Sequence, residues 1–313
     1  MKKFLYIYMI SSLTVTGLRA QEAQFSQYMF NNVYNNPAYS GVEGYTKLSL
    51  FHRSQWVGYG SSGNPVSQLV TITTPVMRYN AGFSAFVMND RLGPQTITQI
   101  QAAAAYHIGI KESKISIGIR GGVITQSVDK DAWNAIEGND PTLENSLSTQ
   151  TRPDFSMGVN FQHEDFYVGL AATHMIKAEF DFGVDPLKEA YPSDYSITGG
   201  YTFPLTYDIS ITPSIFVRTT EFTSYTFNVA AMAEYKEKIW GGLSFRQDDA
   251  FILYMGYSFF KENTLKLGYA FDYTLFGRSA KSPTSHEVML SYRLPAISTS
   301  GKKVVRTPRF RQN

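Results

Sequence analysis

Residues 249–260 read DAFILYMGYSFF, a stretch in which two kinds of side chain alternate. In an extended chain, the large apolar and aromatic residues share one face. These residues are Phe251, Leu253, Met255, Tyr257 and Phe259. The opposite face carries Ile252, Tyr254, Gly256 and Ser258. A period of two residues predicts a β-strand whose two faces meet different surroundings.

The same alternation recurs along the chain, and no comparable helical pattern follows the N-terminus. About fourteen segments show it, most of them long enough for a tilted strand to cross a membrane, which needs about 9–11 residues. They lie near 44–55, 67–77, 80–91, 96–110, 112–125, 154–163, 165–176, 194–204, 207–219, 223–235, 238–247, 249–260, 263–273 and 284–294. The pattern predicts an all-β fold, a transmembrane antiparallel β-barrel.

The connections between these segments alternate in length, as they do in outer-membrane barrels with short periplasmic turns and longer external loops. The predicted external connections are 56–66, 92–95, 126–153, 177–193, 220–222, 248 and 274–283. The predicted periplasmic turns are near 78–79, 111, 164, 205–206, 236–237 and 261–262. An even strand number also predicts two periplasmic termini.

The alternative fold is a soluble sandwich or propeller. The outer face of such a fold should be rich in Lys and Glu, whereas here the less apolar face is largely Gly, Ala, Ser, Thr and Asn.

Four parts of the chain are predicted. Residues 1–20 have a basic start and a short apolar run, which indicates a secretory signal peptide rather than an uncleaved anchor. Residues 21–43 are expected to be a periplasmic N-terminal segment, residues 44–294 the barrel, and residues 295–313 a basic periplasmic tail.

Composition excludes several classes of function. The chain has no Cys, which rules out disulfides, thiolate metal sites and a Cys nucleophile. Between the signal peptide and the tail it carries 20 basic and 26 acidic residues, which argues against nucleic-acid binding. The tail carries Lys302, Lys303, Arg306, Arg309 and Arg311 and no acidic residue. It could dock on an acidic partner or on anionic headgroups, or be a solvated end.

No motif indicates an enzyme, a cofactor or a metal. GYGSSG at 58–63 has the glycine spacing of a dinucleotide site but precedes a strand instead of a helix. The acidic residues near 129–144 miss the calcium-loop pattern, and the five His lack metal-ligand spacing. Neither G-x-S-x-G nor H-E-x-x-H occurs. The expectation is therefore a non-enzyme without a cofactor.

Residues 24–41 read QFSQYMFNNVYNNPAYSG, which is rich in aromatic residues but does not alternate. With FHRSQWVGY at 51–59 and SQLVTITTPV at 67–76, this region resembles the PorP/SprF family of Bacteroidetes outer-membrane proteins. The family pattern is Q-[FY]-[ST]-Q-Y, then N-P-A-[YF]-[AS]-G, then R-x-Q-W. The matching residues are Gln24, Phe25, Ser26, Gln27, Tyr28, Asn36, Pro37, Ala38, Tyr39, Ser40, Gly41, Arg53, Gln55 and Trp56.

The resemblance implies a component of the type IX secretion system, which exports adhesins, proteases and gliding proteins. It implies an outer-membrane barrel that contacts other proteins, and it leaves two branches open. One is similar to a core subunit that works with a periplasmic lipoprotein ring. The other is paired with particular secreted adhesins.

For residues 24–41 we consider two roles. Their aromatic side chains could fold into the barrel mouth or lumen as a latch, with Arg53 and Gln55 as hydrogen-bonding anchors and partner contacts nearby. Alternatively, the segment could only guide the first strand into register. A small-solute transporter remains the alternative function, since other barrels of this size transport solutes.

Overall fold

The computed structural model describes residues 24–58, 63–129, 149–180, 189–277 and 282–295. Before the first strand, a one-turn helix, α1, lies between two 3-10 turns, and two further 3-10 turns lie between strands. Their bounds are Asn32–Asn35 for α1 and Tyr28–Phe30, Pro37–Tyr39, Met77–Tyr79 and Lys261–Asn263 for the 3-10 turns. The strands are β1 (Lys47–Ser54), β2 (Val66–Val76), β3 (Ala81–Leu92), β4 (Gln95–Ile110), β5 (Ser113–Val128), β6 (Thr149–Gln162), β7 (Phe166–Thr173), β8 (Ala178–Phe180), β9 (Glu189–Tyr191), β10 (Asp194–Tyr201), β11 (Phe203–Pro204), β12 (Ile209–Thr220), β13 (Ser224–Tyr235), β14 (Ile239–Arg246), β15 (Ala250–Phe259), β16 (Leu265–Thr274) and β17 (Thr284–Arg293).

The predicted barrel is confirmed. Fourteen antiparallel strands form one closed sheet, in which β1 pairs with β17 and β10 pairs with β12. The three other strands of the described ranges are accessory: β8 and β9 form a separate hairpin, and β11 extends the pairing of β12. Among the described residues, no helix is both long and apolar enough to span a membrane.

The barrel turns its large apolar side chains outward. Phe251, Leu253 and Met255 of β15 are 40%, 42% and 53% exposed, whereas Ile252 and Tyr254 between them are buried. A soluble sandwich would bury the larger face instead. Because hydrocarbon offers no hydrogen-bond partners, a closed sheet with an apolar exterior is the form in which strands can cross a bilayer.

The longest connections all lie at one end of the barrel, as predicted. The connections between β1 and β2, β5 and β6, β7 and β10, and β16 and β17 are the four longest, and all lie at one end, here called the long-loop end. The opposite, short-turn end has tight reversals such as Lys236 and Glu237, which both have positive φ as a two-residue hairpin turn requires. Which side of the membrane each end faces stays a prediction.

Of the predicted strand boundaries, the start of β6 differs most from the structure. β6 begins at Thr149, five residues before the predicted start at 154 and ahead of Pro153. Proline is tolerated there because, in the described residues, β6 pairs with β5 from Thr149 onward but with β7 only from Met157 onward. Pro153 therefore lies where one edge of the strand has no ladder partner.

Candidate functional site: a segment inside the barrel

Residues 24–41, here called the lumenal segment, lie inside the barrel. Ser26 bonds to β16 and β17, Tyr28 to β12, Asn36 to β6 and β7, and Ser40 to β3. Because these strands stand on different sides of the barrel wall, only a segment within the lumen can contact them all. Most of its residues are accordingly buried.

The first half of the lumenal segment, residues 24–30, is held by buried carboxylates. The backbone N–H groups of Ser26 and Gln27 donate to Glu287 Oε2 and Oε1, at 2.6 and 3.0 Å. The Ser26 hydroxyl donates to Asp272, with its oxygen 2.7 and 2.8 Å from the two carboxylate oxygens. It also accepts from Nη1 of Arg53 and from Nη2 of Arg246.

Those four wall residues form an ion cluster: Arg53, Arg246, Asp272 and Glu287. Arg53 Nη2 lies 2.7 Å from Asp272 Oδ2, and Arg53 Nη1 lies 3.4 Å from Glu287 Oε2. Arg246 Nη1 lies 3.7 Å from Asp272 and 3.1 Å from Asp249 at the rim. The cluster itself has two charges of each sign and is almost wholly buried, so each charge depends on its neighbours.

Aromatic packing surrounds the ion cluster. Phe25 packs edge-on against Tyr34 at 5.8 Å between ring centroids and lies 5.6 Å from Phe51 of β1. Tyr28 stacks on Phe216 at 5.5 Å, and burial raises the pKa of its hydroxyl well above the usual range. The hydroxyl therefore stays protonated, 2.8 Å from Ser214 Oγ.

The second half of the lumenal segment, residues 36–41, approaches the wall at glycines. The side chain of Asn36 donates to the carbonyl oxygens of Val159 and Leu170, each at 3.1 Å, and a methyl group on Gly158 would lie 2.0 Å from Asn36 Oδ1. A methyl group on Gly118 would lie 2.5 Å from the backbone nitrogen of Ala38. The N-P-A-Y-S-G motif fits because these wall positions have no side chain.

The same half ends in a chain reversal. Ser40 Oγ lies 2.7 Å from Ser84 Oγ, and the N–H of Gly41 donates to Thr73 Oγ1 at 2.7 Å. Gly41 and Gly44 both have positive φ, a conformation that glycine adopts without a steric penalty. These two residues turn the chain so that β1 can return along the wall beside the segment.

The third family motif, which consists of Arg53, Gln55 and Trp56, lies at the rim of the barrel and contributes Arg53 to the ion cluster. Arg53 contacts Ser26 directly, and Gln55, with its amide oxygen turned toward Arg53, accepts from Arg53 Nε and Nη2 at 3.3 Å. The backbone N–H of Trp56 donates to Ser285 Oγ at 3.0 Å. Contacts inside the barrel therefore connect the residues of all three motifs. Whether these residues act as a latch or as a partner contact stays a prediction.

Sequence reasoning missed the wall side of this site. Asp272 and Glu287 lie on the less apolar face of their alternating segments, and nothing in the sequence assigns them a role. A carboxylate on an inner face of mostly small or polar residues was the available signal. The inner face of the barrel also carries larger side chains than predicted, since Leu69, Phe86 and Trp240 are buried there. They have room because they pack against the lumenal segment rather than across an empty lumen.

Other predicted features lie partly or wholly outside the described residues. These are the signal peptide, most of GYGSSG, the acidic loop beyond Asp129 and the basic tail with Lys302, Lys303, Arg306, Arg309 and Arg311. Within the described ranges, no group of three or more His, Cys, Asp or Glu side chains could hold a metal ion. His107 lies beside Ser116, with Nδ1 2.8 Å from its hydroxyl.

Comparison with known families decides the identity. The family described as "Type IX secretion system membrane protein PorP/SprF" matches residues 18–292, which covers both the lumenal segment and the barrel. The chain belongs to this family. This PorP/SprF protein is thus a secretion-system membrane protein, and its closed barrel is of the outer-membrane kind.

Solved structures resemble this PorP/SprF protein in fold alone. One is the CymD monoaromatic hydrocarbon channel, with a TM-score of 0.50 and 10% identity over 88% of this chain and 93% of that one. Another is the TodX deltaS2S3 mutant monoaromatic hydrocarbon channel, with a TM-score of 0.51 and 10% identity over 83% and 93%. No curated protein sequence matches the chain.

Proposed function

We propose that this protein is a non-enzymatic outer-membrane component of the type IX secretion system that works through protein contacts. One observation carries the proposal: the interior of the barrel is occupied by the protein's own lumenal segment. A barrel of fourteen strands is wider than the eight-stranded kind that its own side chains fill. Here the additional space holds Phe25, Tyr28 and Tyr34, all buried.

The alternative function is small-solute transport. It draws on the likeness to the two hydrocarbon channels, which at 10% identity concerns the fold alone. A solute passing through this lumen would have to displace a segment that is hydrogen-bonded to several walls and to a buried ion cluster. Breaking one side of a buried ion pair typically costs about 3–5 kcal/mol. This cost favours the protein-contact function.

A basic surface at the short-turn end supports a contact there. Lys47, Lys266 and Arg293 line an open cavity of about 80 Å³ together with Glu43. Burial raises the pKa of Glu43, but Lys47 and Lys266 outweigh burial and hold this pKa below its usual range. Three cations and one carboxylate therefore line this cavity.

The basic tail follows Arg293 in the sequence, so its five cations begin close to this cavity along the chain. We propose that this end faces the periplasm. Its contact would be an acidic surface of the periplasmic lipoprotein ring. In the other branch of the family, the partner would be a secreted adhesin, protease or gliding protein.

The test is a crosslinked pull-down of a tagged copy from native outer membranes, read by mass spectrometry. Capture of the periplasmic lipoprotein would support the core-subunit branch, and capture of one secreted protein would support the cargo branch. The matched variant ends at residue 295 and so lacks the tail, which tests whether the tail contributes to capture. Recovery of neither class of protein from the full-length chain would overturn the proposal.

Conductance in a planar bilayer is a second test, which separates the protein-contact function from solute transport. The purified barrel is expected to stay at background conductance because its lumen is occupied. A solute-selective conductance from the unmodified protein would instead favour the transporter.

A further inference from the structure

The start of the lumenal segment lies near the long-loop end of the barrel. Gln24 Nε2 donates to Thr226 Oγ1 at 3.2 Å, and Thr226 is the third residue of β13, just after a connection at that end. Gln24 also lines a cavity with Arg218 and Asn228, which lie toward the same end of β12 and β13.

The end of the segment lies at the opposite end of the barrel. Lys114, the second residue of β5, donates to the carbonyl oxygen of Val42 at 3.3 Å. Thr46 Oγ1 lies 2.8 Å from Thr74 Oγ1, close to where β2 reaches the short-turn end. The lumenal segment therefore runs from the long-loop end to the short-turn end, antiparallel to β1.

We propose that the chain enters the lumen through the long-loop mouth, so that Gln24 lies toward the opposite side of the membrane from Leu294, which donates to Thr46 at the short-turn end. Signal-peptide removal after Ala20 would leave three residues ahead of Gln24. Three extended residues span at most about 11 Å, less than half of the roughly 25 Å apolar band of such a barrel. The new N-terminus could not reach the short-turn end.

This direction replaces the expectation that residues 21–43 lie in the periplasm with both termini on one side. A domain fused ahead of Gln24 would be displayed at the long-loop mouth.

The absence of cysteine from the natural sequence makes a direct test available. A short Gly-Ser linker carrying one Cys is inserted between Ala23 and Gln24, and intact cells are treated with a membrane-impermeant maleimide. Asp248→Cys marks the long-loop end, and Glu237→Cys marks the short-turn end, because both residues lie in exposed turns. Each variant is first shown to form a folded barrel by its resistance to SDS before heating.

We expect the inserted Cys to follow Asp248→Cys. In intact cells its labelling yield should be at least tenfold above that of Glu237→Cys if the long-loop end faces outward, and at least tenfold below it if that end faces inward. Labelling that instead follows Glu237→Cys overturns the inference, as does an insertion that labels in neither intact nor permeabilised cells. The comparison is between two ends of one barrel, so it holds whichever end faces outward. It is also independent of whether the pull-down recovers a secretion protein.

Discussion

The two halves of the lumenal segment are fixed to the barrel by different chemistry. Residues 24–30 are held by hydrogen bonds to the charged groups of the ion cluster, whereas residues 36–41 pack against wall glycines and make hydrogen bonds to uncharged groups. The first attachment depends on charged side chains that can be neutralised singly. The contacts described for the second involve no charged group, so screening a charge cannot weaken them.

The difference indicates which half a partner could release. The first half is held by charged groups, and the charges of a partner protein could substitute for a member of the ion cluster. Close packing on Gly118 and Gly158 offers no comparable substitute, since any inserted group meets backbone or amide atoms. We infer that the first half is the exchangeable attachment and the second half the fixed one.

Removing both halves should have the largest effect. Deleting residues 24–41 is expected to leave a barrel that still assembles but to abolish partner binding. We also expect its conductance to rise from background to that of an open pore, because a wall of fourteen strands encloses more space than its own side chains fill. Planar-bilayer recording and the pull-down measure the two effects. A folded, non-conducting deletion variant would contradict the filled-lumen account, and an unfolded one would favour the role of guiding β1.

The next largest effect should come from weakening the ion cluster, which holds only the first half of the lumenal segment. Arg53→Gln leaves Asp272 and Glu287 buried with one cation fewer, which is expected to lower the free energy of unfolding by about 3–5 kcal/mol. Urea unfolding in detergent measures it. The matched control is Lys236→Gln, whose pair with Asp208 at 3.7 Å is exposed, so no change is expected.

A second substitution sharpens this result. Adding Glu287→Gln to Arg53→Gln removes an uncompensated carboxylate and should restore part of the lost stability. If Arg53→Gln proves as mild as the Lys236 control, the ion cluster is not what holds the first half.

Strands were predictable from sequence because each one lies between two different environments. In β15 the outward face meets lipid and the inward face meets the lumen, so Phe251 and Ile252 differ in exposure although they are neighbours. A local pattern of this kind can be found without knowing which strands pair. Tight turns such as Lys236 and Glu237 then appear as polar breaks in the alternation.

The path of the lumenal segment could not be predicted in the same way. Its conformation is set by contacts with distant residues, such as Ser26 with Asp272, 246 positions away. No local period reports such a contact. The glycines at 118 and 158 also looked like ordinary members of a small inner face, since sequence alone does not show that a backbone lies against them.

Enlarging one wall glycine should have a smaller effect than breaking the ion cluster, and it should be confined to the second half. Gly118→Ala places a methyl group 2.5 Å from the backbone nitrogen of Ala38, so the segment must shift, at a typical overpacking cost of about 1–3 kcal/mol. Gly121→Ala is the control on the same strand, because its nearest neighbour would be 4.0 Å away. Equal urea midpoints for the two variants would contradict the close contact.

The smallest effects should come from removing single hydroxyl groups, one from each half of the lumenal segment. Tyr28→Phe removes a buried hydrogen bond to Ser214 and is expected to cost about 1 kcal/mol. Tyr39→Phe should cost nothing or stabilise slightly, because the buried Tyr39 hydroxyl has no hydrogen-bond partner among the described residues and lies against Gly169. Both variants delete one oxygen from a buried ring, so each is the control for the other in paired urea unfolding. A larger loss for Tyr39→Phe than for Tyr28→Phe would mean that the Tyr39 hydroxyl stabilises the second half, and this contrast between the two halves would fail.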